Sequence, residues 1–198
     1  MAAIFTSLND PKLIKLLKQG AVGVLPTDTV YGLVCRADDI KAVARLYKLK
    51  NRENKPGTIV ASSLDQLTSL GIKRNYLKAV EQFWPGPVSI VVPFSDPNSK
   101  HLRLNLPDIA VRIPADKPFV ALLYKVGPLL TSSANATSKL PANTIQEAEV
   151  YFEGGVDFYV DGGSLKDRQS STVIRIVDDA VEVLREGAVK IKNNGVVK

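Results

Sequence analysis

Four short polar clusters carry the side chains with which this 198-residue chain could do chemistry: Thr27-Asp28-Thr29 with Tyr31, Lys50-Asn51-Arg52, Ser132-Ser133-Ala134-Asn135, and Ser170-Ser171-Thr172. Lys50 and Arg52 stand two residues apart with no carboxylate between them. Such a pair can hold a phosphate or a carboxylate, the guanidinium as a bidentate fork and the ammonium as a point charge. A second reading stands beside it, because cations, Lys48 among them, also favour the C-terminal end of a helix dipole. Ser133 and Asn135 offer a hydroxyl and an amide to an anion or a base, yet both residue types are ordinary in turns. Each cluster is weak alone. Their order and context carry the argument.

Absences narrow the chemistry. No G-x-x-x-x-G-K-[ST] loop is present, and no G-x-G-x-x-G follows a strand. One histidine, His101, and one cysteine, Cys35, are too few for a His/Cys metal centre, and no metal ligand set is expected. His101 lies in a polar, proline-rich stretch and reads as a surface residue, which ranks Ser-His-Asp catalysis low. Cys35 ends the apolar run Leu33-Val34-Cys35 and reads as a small core residue. No residue stands out as a general base. An enzyme built from this set would work by positioning and charge stabilisation.

The clusters sit at the boundaries of alternating strands and helices. Ala21 to Leu25 reads as a buried strand, so Pro26-Thr27-Asp28-Thr29 falls outside its carboxyl end, where open α/β sheets bind ligands. Asp10-Pro11 opens a helix that Gly20 closes. A second helix follows Asp38-Asp39, with Ile40, Val43, Ala44, Leu46 and Tyr47 on one face. A third runs through Tyr76, Leu77, Val80 and Phe83 until Trp84-Pro85-Gly86-Pro87 forces a turn. A fourth covers 119–125. Strands are predicted at 58–61, 89–92, 109–113, 129–131, 158–160, 172–177 and 181–184, the last two joined by a hairpin-length turn. The segment 53–58, with Asn54, Lys55, Pro56 and Gly57, is expected to be a lid.

Without a repeat or linker, the pattern predicts one α/β domain over 1–198, with a mixed β-sheet flanked by helices and no additional C-terminal domain. At 45% hydrophobic residues the chain can build one core. No apolar run approaches the ~20 residues needed to span a bilayer, and no signal peptide opens the chain. A single cysteine excludes an internal disulfide framework. No membrane association and a cytoplasmic location are therefore expected. The net charge of +6 favours anionic partners such as nucleotides, RNA or acidic proteins, or serves solubility alone. Lys12, Lys15 and Lys18 read as the solvent face of the first helix.

Taken in order, the motifs resemble the YrdC/TsaC-type threonylcarbamoyl-adenylate synthases. The matching pieces are Pro26-Thr27-Asp28-Thr29-Val30-Tyr31-Gly32-Leu33, Lys50-x-Arg52, Trp84-Pro85-Gly86-Pro87, Val111-Arg112-Ile113-Pro114, Ser132-Ser133-Ala134-Asn135, Ser171-Thr172-Val173 and Leu184-Arg185-x-Gly187. The resemblance implies a YrdC-like twisted sheet. It also implies a reaction in which L-threonine, bicarbonate (or CO2) and ATP with Mg2+ form threonylcarbamoyl-AMP and pyrophosphate, for the t6A modification of adenosine 37 in tRNA. It implies Lys50, Arg52, Ser133 and Asn135 as catalytic residues. Thr29, Tyr31, Arg112 and Ser171 are implied for threonine, and Arg52, Asn135, Asn143, Thr144 and Arg185 for ATP. Transient partners would be tRNA or other proteins of the t6A pathway.

The sequence departs from the family pattern in three places. Glu53 follows Arg52, Ala61 stands where many members carry a histidine, and 136–141 lacks the usual glycine. Two other readings remain at this point. One is a basic module that binds double-stranded RNA or tRNA without catalysis. The other is a family relative that uses another amino acid.

Overall fold

Local signals set the elements that packing then assembles. The computed structural model describes residues 2–51, 55–136, 138–178 and 180–191. In chain order its elements are β1 (Ala3–Phe5), α1 (Pro11–Lys18), β2 (Gly23–Pro26), β3 (Tyr31–Arg36), α2 (Ile40–Leu49), β4 (Thr58–Val60), α3 (Leu64–Ser69), α4 (Arg74–Lys78), β5 (Val88–Pro93), α5 (Lys100–Arg103), β6 (Asp108–Arg112), α6 (Lys117–Val126), β7 (Leu129–Ser133), α7 (Ile145–Phe152), β8 (Phe158–Val160), β9 (Thr172–Val177) and β10 (Ala180–Arg185). Side-chain oxygens of Asp10, Asp39, Asp116 and Thr144 cap α1, α2, α6 and α7 by accepting from amides inside the first turn.

The strands form one mixed sheet in the order β1-β8-β2-β3-β7-β4-β6-β5-β9-β10. Its register explains where the core ends and the cavity begins. Cys35, Leu130, Ile59, Val111, Ile90 and Ile174 pair side by side across six strands. All six are fully buried in the larger core, together with apolar residues of α2, α3, α4, α5 and α7. The adjacent row, one residue along each strand, must face the other way. It reads Val34, Thr131, Thr58, Ala110 and Val91. Val34 packs beneath Leu13 and Leu17 of α1 and Phe119, Leu122 and Leu123 of α6 in a second core. The next four are small, polar or half-buried and line a cavity instead.

Most of the predicted strands and helices are present, with shifts of one or two residues at their ends. The expected helix through Phe83 divides into α4 and a 3-10 turn at Glu81–Phe83. Leu77, Val80 and Phe83 are all buried. A spacing of three brings them inward in either helix type, so the pattern did not reveal the break. β1, β3, α3, α5 and α7 went unread. The lysines of α1 are exposed as expected. Cys35 is a buried core residue, and burial pushes its thiol far above the usual range. His101 lies on α5 rather than in a loop, half-buried, with Nε2 donating to the Ala37 carbonyl at 3.0 Å. No helix among the described residues is long and apolar enough to cross a membrane.

Candidate active site

The first cluster is a hairpin, not the end of a strand alone. β2 stops at Pro26, β3 starts at Tyr31, and the two pair antiparallel. Thr27 holds the four residues between them. Its Oγ1 accepts from the Thr29 amide at 3.1 Å and donates to the Val30 carbonyl at 2.7 Å. It also lies 3.1 Å from Thr29 Oγ1. Gly32 follows because the strand passes too close for a side chain: a Cβ there would lie 2.6 Å from Thr131 Oγ1. Tyr31 is fully buried. Its phenol accepts from the Gly162 amide at 2.9 Å and donates to the Gly163 carbonyl at 2.8 Å, tying the hairpin to the loop after β8.

Thr29, Tyr31, Arg112, Ser133, Ser171 and Arg185, six of the expected site residues, line one cavity of about 470 Å³. Among the described residues its charged lining is Lys55, Arg112 and Arg185 against one acid, Asp108. Hydroxyls of Thr58, Thr131 and Ser170 line it as well. A cationic, hydroxyl-rich cavity favours an anionic ligand.

Arg112 ends β6 and is buried. Its Nη2 donates to Asp28 Oδ1 at 3.0 Å and its Nη1 to Ser89 Oγ at 3.1 Å. Ser89 Oγ lies 2.9 Å from Ser171 Oγ. Arg185 at the end of β10 donates through Nη2 to Ser171 Oγ at 3.1 Å, and through Nε and Nη2 to the Ser171 carbonyl. A continuous chain Asp28–Arg112–Ser89–Ser171–Arg185 thus links the β2–β3 turn to β6, β5, the residue before β9 and β10. Burial pushes the Asp28 carboxyl up, and Arg112 beside it pulls it only partly back. Burial likewise lowers Arg112. Asp28 Oδ2 and Arg112 Nε are buried without a hydrogen-bond partner. Buried polar atoms without a partner beside a cavity call for a specific explanation, such as water, a ligand or a catalytic role.

Lys50 is the residue just past α2, and it is buried. Its Nζ donates to the Ser133 carbonyl at 3.0 Å, to the Asn135 carbonyl at 2.5 Å and to Asn135 Oδ1 at 2.7 Å. Ser133 Oγ donates to the same Oδ1 at 2.7 Å. Lys50, Ser133 and Asn135 therefore form one unit, with only Ser133 on the cavity wall. Arg52, Glu53 and Asn54 lie outside the described residues; the rest of the expected lid, Lys55, Pro56, Gly57 and Thr58, lines the cavity, with Thr58 already in β4.

Asn143 and Thr144 are not on the cavity wall. They open α7, with the Thr144 hydroxyl accepting from the Glu147 amide and Glu147 Oε2 accepting from the Asn143 amide. Ala61 is fully buried in the larger core, away from the cavity wall, and its amide donates to the Arg112 carbonyl at 3.0 Å. Two residues of the network escaped the sequence reading as site residues. Asp28 was in plain view inside the first cluster. Ser89 is the one polar residue of the run Val88-Ser89-Ile90-Val91-Val92. No group of three or more His, Cys, Asp or Glu side chains among the described residues could hold a metal ion.

Similarity to known proteins agrees with this geometry. The Sua5/YciO/YrdC family model, described as "Telomere recombination", matches residues 15–187. A protein of Blochmanniella pennsylvanica named threonylcarbamoyl-AMP synthase is 37% identical over 150 residues, which cover 73% of this chain and 77% of that protein. The structure of Pyrococcus abyssi Sua5 complexed with L-threonine superposes with a TM-score of 0.82 at 28% identity, over 96% of this chain and 58% of that one. Escherichia coli YciO shares the fold, with a TM-score of 0.82 at 23% identity over 98% of this chain and 99% of its own. With a family-model match over residues 15–187 and relatives at 30% identity or more, this protein belongs to the Sua5/YciO/YrdC family.

Proposed function

We propose that the protein is an L-threonylcarbamoyladenylate synthase. It joins L-threonine, bicarbonate (or CO2) and ATP into threonylcarbamoyl-AMP, releases pyrophosphate and supplies the t6A modification of tRNA in the cytoplasm. The observation that carries this reading is the pair of guanidiniums, Arg112 and Arg185, joined through Ser89 and Ser171 at a hydroxyl-rich cavity. Relatives that bear the enzyme's name support it.

Arg112 receives the threonine carboxylate as a planar fork, with Thr29, Tyr31 and Ser171 around the amino acid. The threonine amine takes up bicarbonate with loss of water, or CO2 with loss of a proton, to become a carbamate, whose oxygen attacks the α-phosphorus of ATP as pyrophosphate leaves. Negative charge gathers at that phosphorus, and Lys50 with Arg52, Ser133 and Asn135 answers it. Arg52, Asn135 and Arg185 also serve the nucleotide, and the Asn143–Thr144 pair is the remaining assignment on that side. Mg2+ enters with the ATP phosphates as part of that substrate. Holding three reactants in line can supply about 7–11 kcal/mol, which suits a site without an evident general base.

The test is pyrophosphate release by the purified chain. Release is expected only when ATP, threonine and bicarbonate are all present. Turnover without threonine overturns the reading.

A further inference from the structure

Ser89 is the one polar side chain in an otherwise apolar stretch of β5, Val88 to Val92. In β5 its neighbours Val88, Ile90 and Val92 belong to the larger core. Ser89 faces the opposite way, toward the cavity side, yet it has no exposed surface and is not on the cavity wall. Its Oγ accepts from Arg112 Nη1 at 3.1 Å and lies 2.9 Å from Ser171 Oγ.

Counting hydrogens settles which serine donates. A hydroxyl has one hydrogen to give and two lone pairs to fill. Were Ser171 the donor, Ser89 would accept twice and its own hydrogen would be buried without an acceptor. An unmatched buried donor is costly and rare. With Ser89 as donor, its hydrogen is placed and Arg112 is served. Ser171 Oγ then accepts from both Ser89 and Arg185, and its own hydrogen is left for the cavity that it lines.

We infer that Ser89 fixes the direction of the Ser171 hydroxyl, so that Arg112, Ser171 and Arg185 turn only hydrogen-bond donors to the ligand. Ser89 is thereby a specificity-determining position that favours a carboxylate over an uncharged group of the same shape carrying N–H. The inference rests on the reading of this cavity as the amino-acid site. An amide placed against these three groups leaves its own N–H groups facing hydrogens; a carboxylate accepts from all of them.

Calorimetric titration of the full chain with L-threonine and with L-threoninamide tests this. The protein is expected to prefer threonine. Ser89→Ala should weaken threonine binding by about tenfold and narrow the preference over threoninamide, because Ser171 becomes able to rotate and accept. Ser89→Thr keeps the hydroxyl and should restore both, whereas Ser89→Val, equal to it in shape, should not. Should Ser89→Ala fail to fold, the Thr/Val pair decides alone. Equal threonine affinity and equal discrimination in the Thr and Val variants overturn the role of Ser89. Absence of threonine binding in the unaltered chain overturns the amino-acid site itself, and the inference falls with it.

Discussion

The two buried cations among the described residues, Arg112 and Lys50, are held in opposite ways. Arg112 is fixed from behind, by the carboxylate of Asp28 and the hydroxyl of Ser89, on elements that come from elsewhere in the sheet. Lys50 is fixed by oxygens of Ser133 and Asn135, the residues with which it is proposed to act. The first arrangement is a bracket: the β2–β3 turn and strand β5 together set the angle of the guanidinium. The second is a clasp, in which the ammonium shapes its own site by drawing the end of β7 and the following loop together. A planar fork needs the bracket, because bidentate recognition fails when the plane tilts. A point charge tolerates the clasp.

The comparison is broken most directly at Arg112. Arg112→Ala leaves Asp28 as a buried carboxylate without its partner, a change that typically costs about 3–5 kcal/mol. Chemical denaturation should register a loss of that order together with loss of threonine binding. The pair Asp28→Asn with Arg112→Ala should recover part of the stability but none of the binding. Unchanged stability in Arg112→Ala would mean that the bracket is not a buried ion pair at all.

Lys50→Ala should behave differently. Hydrogen bonds that involve a charged group contribute about 1.5–3 kcal/mol, and the oxygens left behind, at the edge of the loop, can turn toward water. The stability loss is therefore expected to be smaller than that of Arg112→Ala. The loop should open instead: amide hydrogen exchange over 133–136 should quicken while the rows of the sheet stay protected. Pyrophosphate release should fall about 100-fold, the scale of removing one preorganised charge-stabilising group. A variant that loses as much stability as Arg112→Ala, with exchange quickened throughout, would erase the distinction between bracket and clasp.

How much of this was legible in the sequence follows the same divide. Lys50, Ser133 and Asn135 were chosen because they belong to short motifs, and the structure joins them directly. The strands of the second half were legible because β-branched runs bounded by turn residues have few other readings. Asp28 and Ser89 were not recognised as partners of Arg112, since hydrogen bonds across 84 and 23 residues leave no trace in local spacing. β3 was hidden because Tyr31-Gly32-Leu33 was assigned to a ligand loop, when only a four-residue turn separates two paired strands. The start of α7 carried a legible capping pattern, Thr144 with Glu147, ahead of Ile145, Ala148 and Phe152 on one buried face. Ala61, at the position where many family members carry a histidine, lies in the core behind Arg112 rather than on the cavity wall.

The smallest expected effect sharpens what kind of bracket Asp28 is. Burial holds its folded-state carboxyl above the ordinary value, in spite of the guanidinium 3.0 Å away. A carboxyl raised in this way contributes stability that is complete below its unfolded pKa and is lost as the pH rises through the folded one. Asparagine at 28 keeps an acceptor for Arg112 and has nothing to titrate. The stability of the unaltered chain relative to Asp28→Asn should therefore decline from acid pH toward neutrality, and melting temperatures of the two across that range measure it. In that case desolvation outweighs pairing, and Asp28 is retained for the angle that it imposes on Arg112 rather than for its charge. Should the unaltered chain instead gain on Asp28→Asn as the pH rises, attraction to Arg112 outweighs burial. The bracket would then be a stabilising ion pair first and an orienting device second.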